Sequence, residues 1–329
     1  MGVRERKIPH YVKPMLAIAV DKPFSDGGWL YELKLDGYRA VAETGKRKLL
    51  LYSRNGLSLT QRFPSIAEAL RKIKIEAVLD GEIVLLNEKG RPDFQKLQNY
   101  GQNMQYQLVY YVFDLLSLKQ KDLKHLPLTE RKKQLQKILK KTGPVRFLSH
   151  IEDNGIDFYR TVKLEDMEGI IAKKKESIYV PGTRTRDWLK IKNHKSQEVI
   201  IIGYTAPRGA RQHFGSILLA QYKEGALTYV GHAGTGFTEK SLHDLSIQMN
   251  KLATKKSPLE VPVKANNKVT WLRPKLVCEI SYSEITNDGI FRHPVFKGLR
   301  TEKKAENIEQ ETESEVPIAK VVKSKKQRT

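Results

Sequence analysis

An α+β fold with mainly antiparallel sheets, followed by a small β-barrel, is what this sequence predicts. Three observations carry that expectation. Strand-like runs rich in β-branched and aromatic residues alternate irregularly with helical stretches over residues 1–190, and the regular βαβα pattern of a parallel sheet is missing. Past Lys192 the strands become short, glycine-punctuated and closely spaced around one helix. With 329 residues, 40% of them hydrophobic and 8% aromatic, the chain can bury real cores, which excludes wholesale disorder.

In the first part, strands are expected at 29–35 (WLYELKL), 48–54 (KLLLYSR), 77–86 (AVLDGEIVLL) and 107–116 (QLVYYVFDLL), each near Gly, Asn or Asp turn residues. Helices are expected at 63–73, behind a Pro64 start, and at 128–140, with Thr129 as a candidate cap. The second part predicts strands at 198–205, 215–223, 227–234 and 275–285, with a helix at 239–252. Several short strands with one inserted helix suggest a barrel of the OB type, a module that often grips nucleic acid. Residues 301–329 contain no aromatic residue and run from an acidic block into a basic end, so they read as disordered. The domains expected are 1–193 and 194–303, hinged near 192–197, with a disordered charged tail at 304–329.

The chain carries 59 Lys and Arg against 37 Asp and Glu, a formal charge of +22. Residues 301–329 hold seven basic and six acidic residues, so +21 belongs to residues 1–300: +13 on 1–190 and +8 on 191–300. Such a surplus asks for an anionic partner, nucleic acid first; a solvated surface is the plainer alternative. The single cysteine, Cys278, excludes a disulfide within the chain and a multi-cysteine zinc site, and suits a reducing cytoplasm. No apolar run approaches the ~18 residues of a membrane span, and the first residues lack a secretory apolar region. Cys278 and Trp271 read as core, while His232 and His293 show no metal-ligand spacing.

The sharpest local feature is Glu32-Leu-Lys34-Leu-Asp36-Gly37-Tyr38-Arg39. On a strand, Glu32, Lys34 and Asp36 would share a face. Surface charges on an edge strand are the plain reading, and a nucleophilic Lys34 is the functional one. A lysine near its ordinary pKa of ~10.4 is protonated, so attack needs a lowered pKa, and a bound divalent metal would have to offset the flanking acids.

Glu-x-Lys-x-Asp-Gly-x-Arg resembles the signature of the covalent nucleotidyltransferases: ATP-dependent DNA ligases, RNA ligases and mRNA capping enzymes. Further pieces follow in order. Ser53-Arg54-Asn55-Gly56, Asp80-Gly81-Glu82, Phe113-Asp114, Glu168-Gly169-Ile170 and Trp188-Leu-Lys190-Ile-Lys192 resemble that family's later motifs, with Arg184 at a basic position ahead of the last. PMLA (14–17), GTGF (234–237), WLRPKLVCEISY (271–282) and DGIFRHPVFKGLRTEK (288–303) narrow the resemblance to the ligase module of bacterial and archaeal ligase D, across residues 8–303. Glu302 stands where that family has Asp, between Arg300 and Lys303.

The resemblance implies a nucleotidyltransferase domain followed by an OB-fold domain that swings between ATP and DNA. It implies Lys34 as the nucleophile taking AMP from ATP. Nucleotide contacts are implied for Glu32, Arg39, Arg54, Glu82, Phe113, Arg184, Lys190, Lys192, Arg300 and Lys303, with Glu82 and Glu168 holding Mg²⁺ or Mn²⁺. It further implies nicked duplex DNA as substrate, and a monomer in a bacterial or archaeal cytoplasm near the nucleoid. A Ku-type end-binding protein and separate polymerase and phosphoesterase partners are implied for non-homologous end joining. An NAD-dependent ligase would carry an extra domain before the lysine and a four-cysteine zinc finger. An RNA ligase or capping enzyme would not share residues 271–303 so closely. A non-catalytic DNA-binding module would not need Lys34, Glu82, Glu168 and Lys190 intact.

Overall fold

The computed structural model describes residues 11–45, 49–102, 105–139, 143–207, 212–261 and 268–309. Two large sheets are built from residues 16–192 and a third from residues 196–299, which also hold a two-stranded ribbon, Glu284–Ile285 with Phe291–Arg292. The first sheet orders its strands Leu16–Ala19, Arg184–Lys192, Gly169–Lys174, Trp29–Leu33 and His150–Glu152, with only the first contact parallel. The second runs Leu50–Ser53, Tyr38–Thr44, Ala77–Leu86, Gln107–Leu118 and Lys121–Asp122. Val145–Phe147 joins it parallel to Gln107–Leu118. The mainly antiparallel expectation holds.

Apolar residues explain why these segments pair. The second sheet and the helices Pro64–Arg71, Phe94–Gln98 and Leu128–Ile138 enclose a core that includes Tyr38, Phe63, Leu79, Tyr110 and Leu135. The helix Gly155–Leu164 covers the first sheet through Val162 and Phe158. Met15, Phe113, Leu148, Tyr179 and Trp188 form a separate cluster. Pro64 opens its helix as expected. Thr129 does not cap the next one. That helix begins at Leu128 behind Pro127, so Thr129 already lies in its first turn and no side-chain cap forms.

Asp80-Gly81-Glu82 lies within the strand Ala77–Leu86, where an Asp-Gly pair ordinarily marks a turn. Gly81 is there because strands crowd: a Cβ would sit 2.3 Å from the Tyr111 carbonyl. Conversely, the strand from Trp29 stops at Leu33 instead of continuing to residue 35.

In the third sheet, Ser196–Thr205 pairs with Ile217–Lys223 on one side and Val269–Ser281 on the other. Ala226–Ala233, Ala253–Thr254 and Val295–Leu299 extend it, and the helix Glu239–Asn250 is held by a Thr238/Ser241 capping box. Val199 and Ile201 point into one core with Cys278 and Phe296. Ile200 and Ile202 point to the other face, where Ala305 and Ile308 cover them. That double burial explains the unbroken apolar run at 199–202. It also corrects the expected disorder of 304–329 over its first part: residues 304–309 pack on the sheet because Ala305 and Ile308 have apolar partners there. The remainder of that tail lies outside the described residues. Among the described residues, no helix is long and apolar enough to cross a membrane.

Candidate active site

A cavity of about 450 Å³ opens where all three sheets meet. It is lined by every site residue singled out from the sequence: Glu32, Lys34, Arg39, Arg54, Glu82, Phe113, Glu168, Arg184, Lys190, Lys192, Arg300 and Lys303. Lys34 sits just past the end of its strand, its backbone N–H donating to the Gly169 carbonyl at 2.9 Å. Its ammonium donates to Glu168 Oε1. Burial pulls the lysine down, but Glu168, with Asp36 and Glu279, holds it above its ordinary range. Glu168 is raised to about 7 and Glu82 to about 8, both mainly by burial.

The expected common face of Glu32, Lys34 and Asp36 does not form, because the strand ends between the first and second of them. Each finds a different partner. Glu32 is buried between Lys132, 2.5 Å from Oε1, and Lys173, 2.7 Å from Oε2. Burial alone would raise its carboxyl, yet the two lysines hold it below the usual range. Asp36 meets the Arg300 guanidinium at 2.8 Å. Gly37 allows this corner, since a Cβ would sit 2.2 Å from the Ile83 carbonyl.

Arg39 is committed to a protein partner. Its guanidinium forks onto both oxygens of Asp80 at 2.7 Å and lies 4.5 Å from the centre of the Phe113 ring. Asp80 also accepts from Tyr179 Oη at 2.7 Å. Phe113 packs edge-on against Trp188, and Lys173 Nζ lies 4.0 Å from one ring and 4.1 Å from the other. Burial lowers the Lys173 ammonium to about 8, with Glu32 opposing.

On the barrel side, Arg300 Nε meets Glu279 at 2.9 Å and Lys303 meets Glu198 at 2.9 Å. Glu198 and Glu279 face each other across neighbouring strands. Like charges so placed repel, so the two cations are what make the pairing tolerable. Arg184 donates to the Ala17 carbonyl at 3.0 Å, and Lys192 Nζ to the Ser196 carbonyl at 2.7 Å.

Sequence reasoning assigned no role to Lys132, Lys173, Glu198 or Glu279. Lys173 had a faint signal, directly after the apolar run Ile170–Ala172 of its strand; the others look like ordinary surface charges.

Among the described residues, no cluster of three or more His, Cys, Asp or Glu is arranged to hold an ion. Two hard carboxylates do face the cavity, and Glu168 Oε2 is buried with no hydrogen-bond partner. Magnesium is commonly held by one or two carboxylates plus substrate phosphates, so this pair fits it.

An α+β domain bearing a half-buried lysine in its cleft, closed by an OB-fold-like domain, defines the nucleotidyltransferase class. Comparison with known proteins narrows the class. Residues 14–192 match the ATP dependent DNA ligase domain, and residues 210–303 match the ATP dependent DNA ligase C terminal region. The chain belongs to the ATP-dependent DNA ligase family. It is 38% identical over 310 residues to the multifunctional non-homologous end joining protein LigD of Pseudomonas aeruginosa, covering 92% of this chain and 37% of that protein. Its identity to the LigD of Mycolicibacterium smegmatis is 35%, over 91% of this chain and 40% of that one. The chain thus spans about two-fifths of these relatives. Among solved structures it resembles a mycobacterial DNA ligase D complexed with ATP and MES, at TM-score 0.67 and 32% identity, covering 90% of this chain and 97% of that one.

Proposed function

We propose that this protein seals nicks between a 5′-phosphate and a 3′-hydroxyl in duplex DNA, using ATP and a lysyl–AMP intermediate on Lys34. The observation that carries the reading is Lys34 itself, half-buried and facing Glu168 in a cavity ringed by Arg54, Lys190, Lys192, Arg300 and Lys303. Lys34 Nζ bonds to the α-phosphorus of ATP while the bond to the β-phosphate oxygen breaks, and pyrophosphate leaves with the charge. The amine must first give up a proton, and Glu168 Oε1, already hydrogen-bonded to it, is placed to receive it. A divalent cation held by Glu82 and Glu168 would neutralise phosphate charge and weaken the hold that keeps Lys34 protonated. Arg300 and Lys303 neutralise the departing pyrophosphate, and Phe113 offers an apolar wall for the base. The AMP then passes to the nick 5′-phosphate, and the 3′-hydroxyl displaces it.

Two domains, 1–193 and 194–303, hinged at 192–197, divide these tasks. The strand Arg184–Lys192 ends where that link begins, and the next strand starts at Ser196. The LigD resemblance supports a role in non-homologous end joining, as a monomer in the bacterial or archaeal cytoplasm near the nucleoid, with a Ku-type end-binding protein and separate polymerase and phosphoesterase. A nicked, end-labelled duplex incubated with ATP and Mg²⁺ tests the reading. The full-length strand should form with wild-type protein and vanish with Lys34→Ala; sealing that survives the substitution contradicts it.

A further inference from the structure

Residues 297–302 carry Arg300 to the cavity, and the other side of the cleft grips them. Gln98, at the end of the helix Phe94–Gln98, donates its side-chain amide to the Leu299 carbonyl. Gln95, one turn earlier, donates to the Lys297 carbonyl at 3.2 Å. Arg62 donates to Thr301 Oγ1 at 3.2 Å, and Asn55 to the Glu302 carbonyl at 2.5 Å. The Arg300 guanidinium lies 3.7 Å from the centre of the Phe94 ring on the same short helix. Asp93 fixes that helix by accepting from the Lys96 N–H at 2.9 Å, so the two glutamines are aimed by a rigid turn.

These four hydrogen bonds share one polarity, while Arg300 donates the other way, to Asp36 at 2.8 Å and the Gly37 carbonyl at 3.3 Å. The four donors come from residues 55–98, and three of the four acceptors are backbone carbonyls. Such contacts register where the barrel's last strand lies whatever its side chains are. Gln95 and Gln98 lie outside the cavity lining. We infer that Gln95 and Gln98, with Arg62 and Asn55, form a clasp that holds the barrel closed over Lys34, and act as positioning residues for nucleotide transfer to that lysine. The inference rests on the lysyl–AMP reading above. Neutral amides suit a contact that must release once AMP is attached, because water replaces them readily and they leave Arg300 and Lys303 available to phosphate.

The double variant Gln95→Met/Gln98→Met keeps side-chain length and removes both donors. Two rates separate the steps: lysyl–AMP formation from ATP and Mg²⁺, and sealing of a nick that already carries a 5′-adenylate. The first should fall about tenfold, the loss expected for two solvent-accessible hydrogen bonds, while the second stays within about twofold of wild type. Equal losses in both steps would mark the glutamines as merely structural, and an unchanged first step would remove the clasp; either overturns the inference. A wild-type protein that takes no AMP from ATP would instead sink the reading beneath it, and the clasp with it.

Discussion

Around Lys34 and Arg300, burial and charge pull in opposite directions, and which one prevails differs from residue to residue. Glu82 and Glu168 are pushed up by burial, whereas Glu279, equally enclosed, is drawn to about 2 because Arg300 sits on it. Its ordinary value of 4.5 sets the sign. A depressed carboxyl contributes stability that is fully present above about pH 4.5 and lost as pH falls through about 2. Glu279→Gln should therefore cost about 2–3 kcal/mol near neutrality, and the Tm gap from wild type should narrow between pH 5 and pH 2.5. A gap that is constant with pH would show that the ion pair contributes nothing. At this scale the sequence is informative where chemistry restricts residue type: a lysine between acids, two further carboxylates and a ring of cations fall in recognisable order. It is silent on their supports. Glu32 is held by residues 100 and 141 positions further along, and no local pattern announces such partners.

The helix Leu128–Ile138 is rich in Arg, Lys and Gln, yet it buries Arg131 and Lys132 side by side. Arg131 forks onto both oxygens of Asp114, at 2.7 and 2.9 Å, and also donates to the Ser177 carbonyl at 2.8 Å. Lys132 reaches Glu32. One dipeptide thus anchors the strand carrying Phe113 and the strand leading to Lys34. Arg131→Met would strand a buried carboxylate, so unfolding in urea should show a loss of about 3–5 kcal/mol. A loss below about 1 kcal/mol would mean that Asp114 finds another partner. Among the strands, Ala77–Leu86 is legible to the residue because apolar runs flank its Asp80-Gly81-Glu82 centre on both sides. Arg184–Lys192 was seen only as a basic motif. Its outward residues are charged, and only burial of Trp188, Leu189 and Ile191 in the folded molecule shows it as a strand. Trp29–Leu33 was read too long because Lys34, Leu35 and Asp36 leave the sheet to serve the cavity.

Across the whole molecule, the positive charge that first suggested nucleic acid is divided between internal and outward uses. Arg39, Arg131, Lys132 and Lys173 are each paired with carboxylates inside the fold. These residues support the cleft. Their carboxylate partners are already subtracted in the net figure, so this pairing leaves the surplus nearly intact, and both halves of the chain carry it. Composition points to an anionic partner but cannot separate scaffold cations from ligand cations, since that distinction exists only once the sheets have met. If the two halves close to let Lys34 take AMP from ATP, the protein must become adenylated on its own. Incubation of the intact protein with α-labelled ATP and Mg²⁺ addresses it directly. Label should appear on the protein as an acid-labile phosphoramidate, and Lys34→Ala should carry none. Absence of label on the wild type, or label that persists without Lys34, would contradict the account.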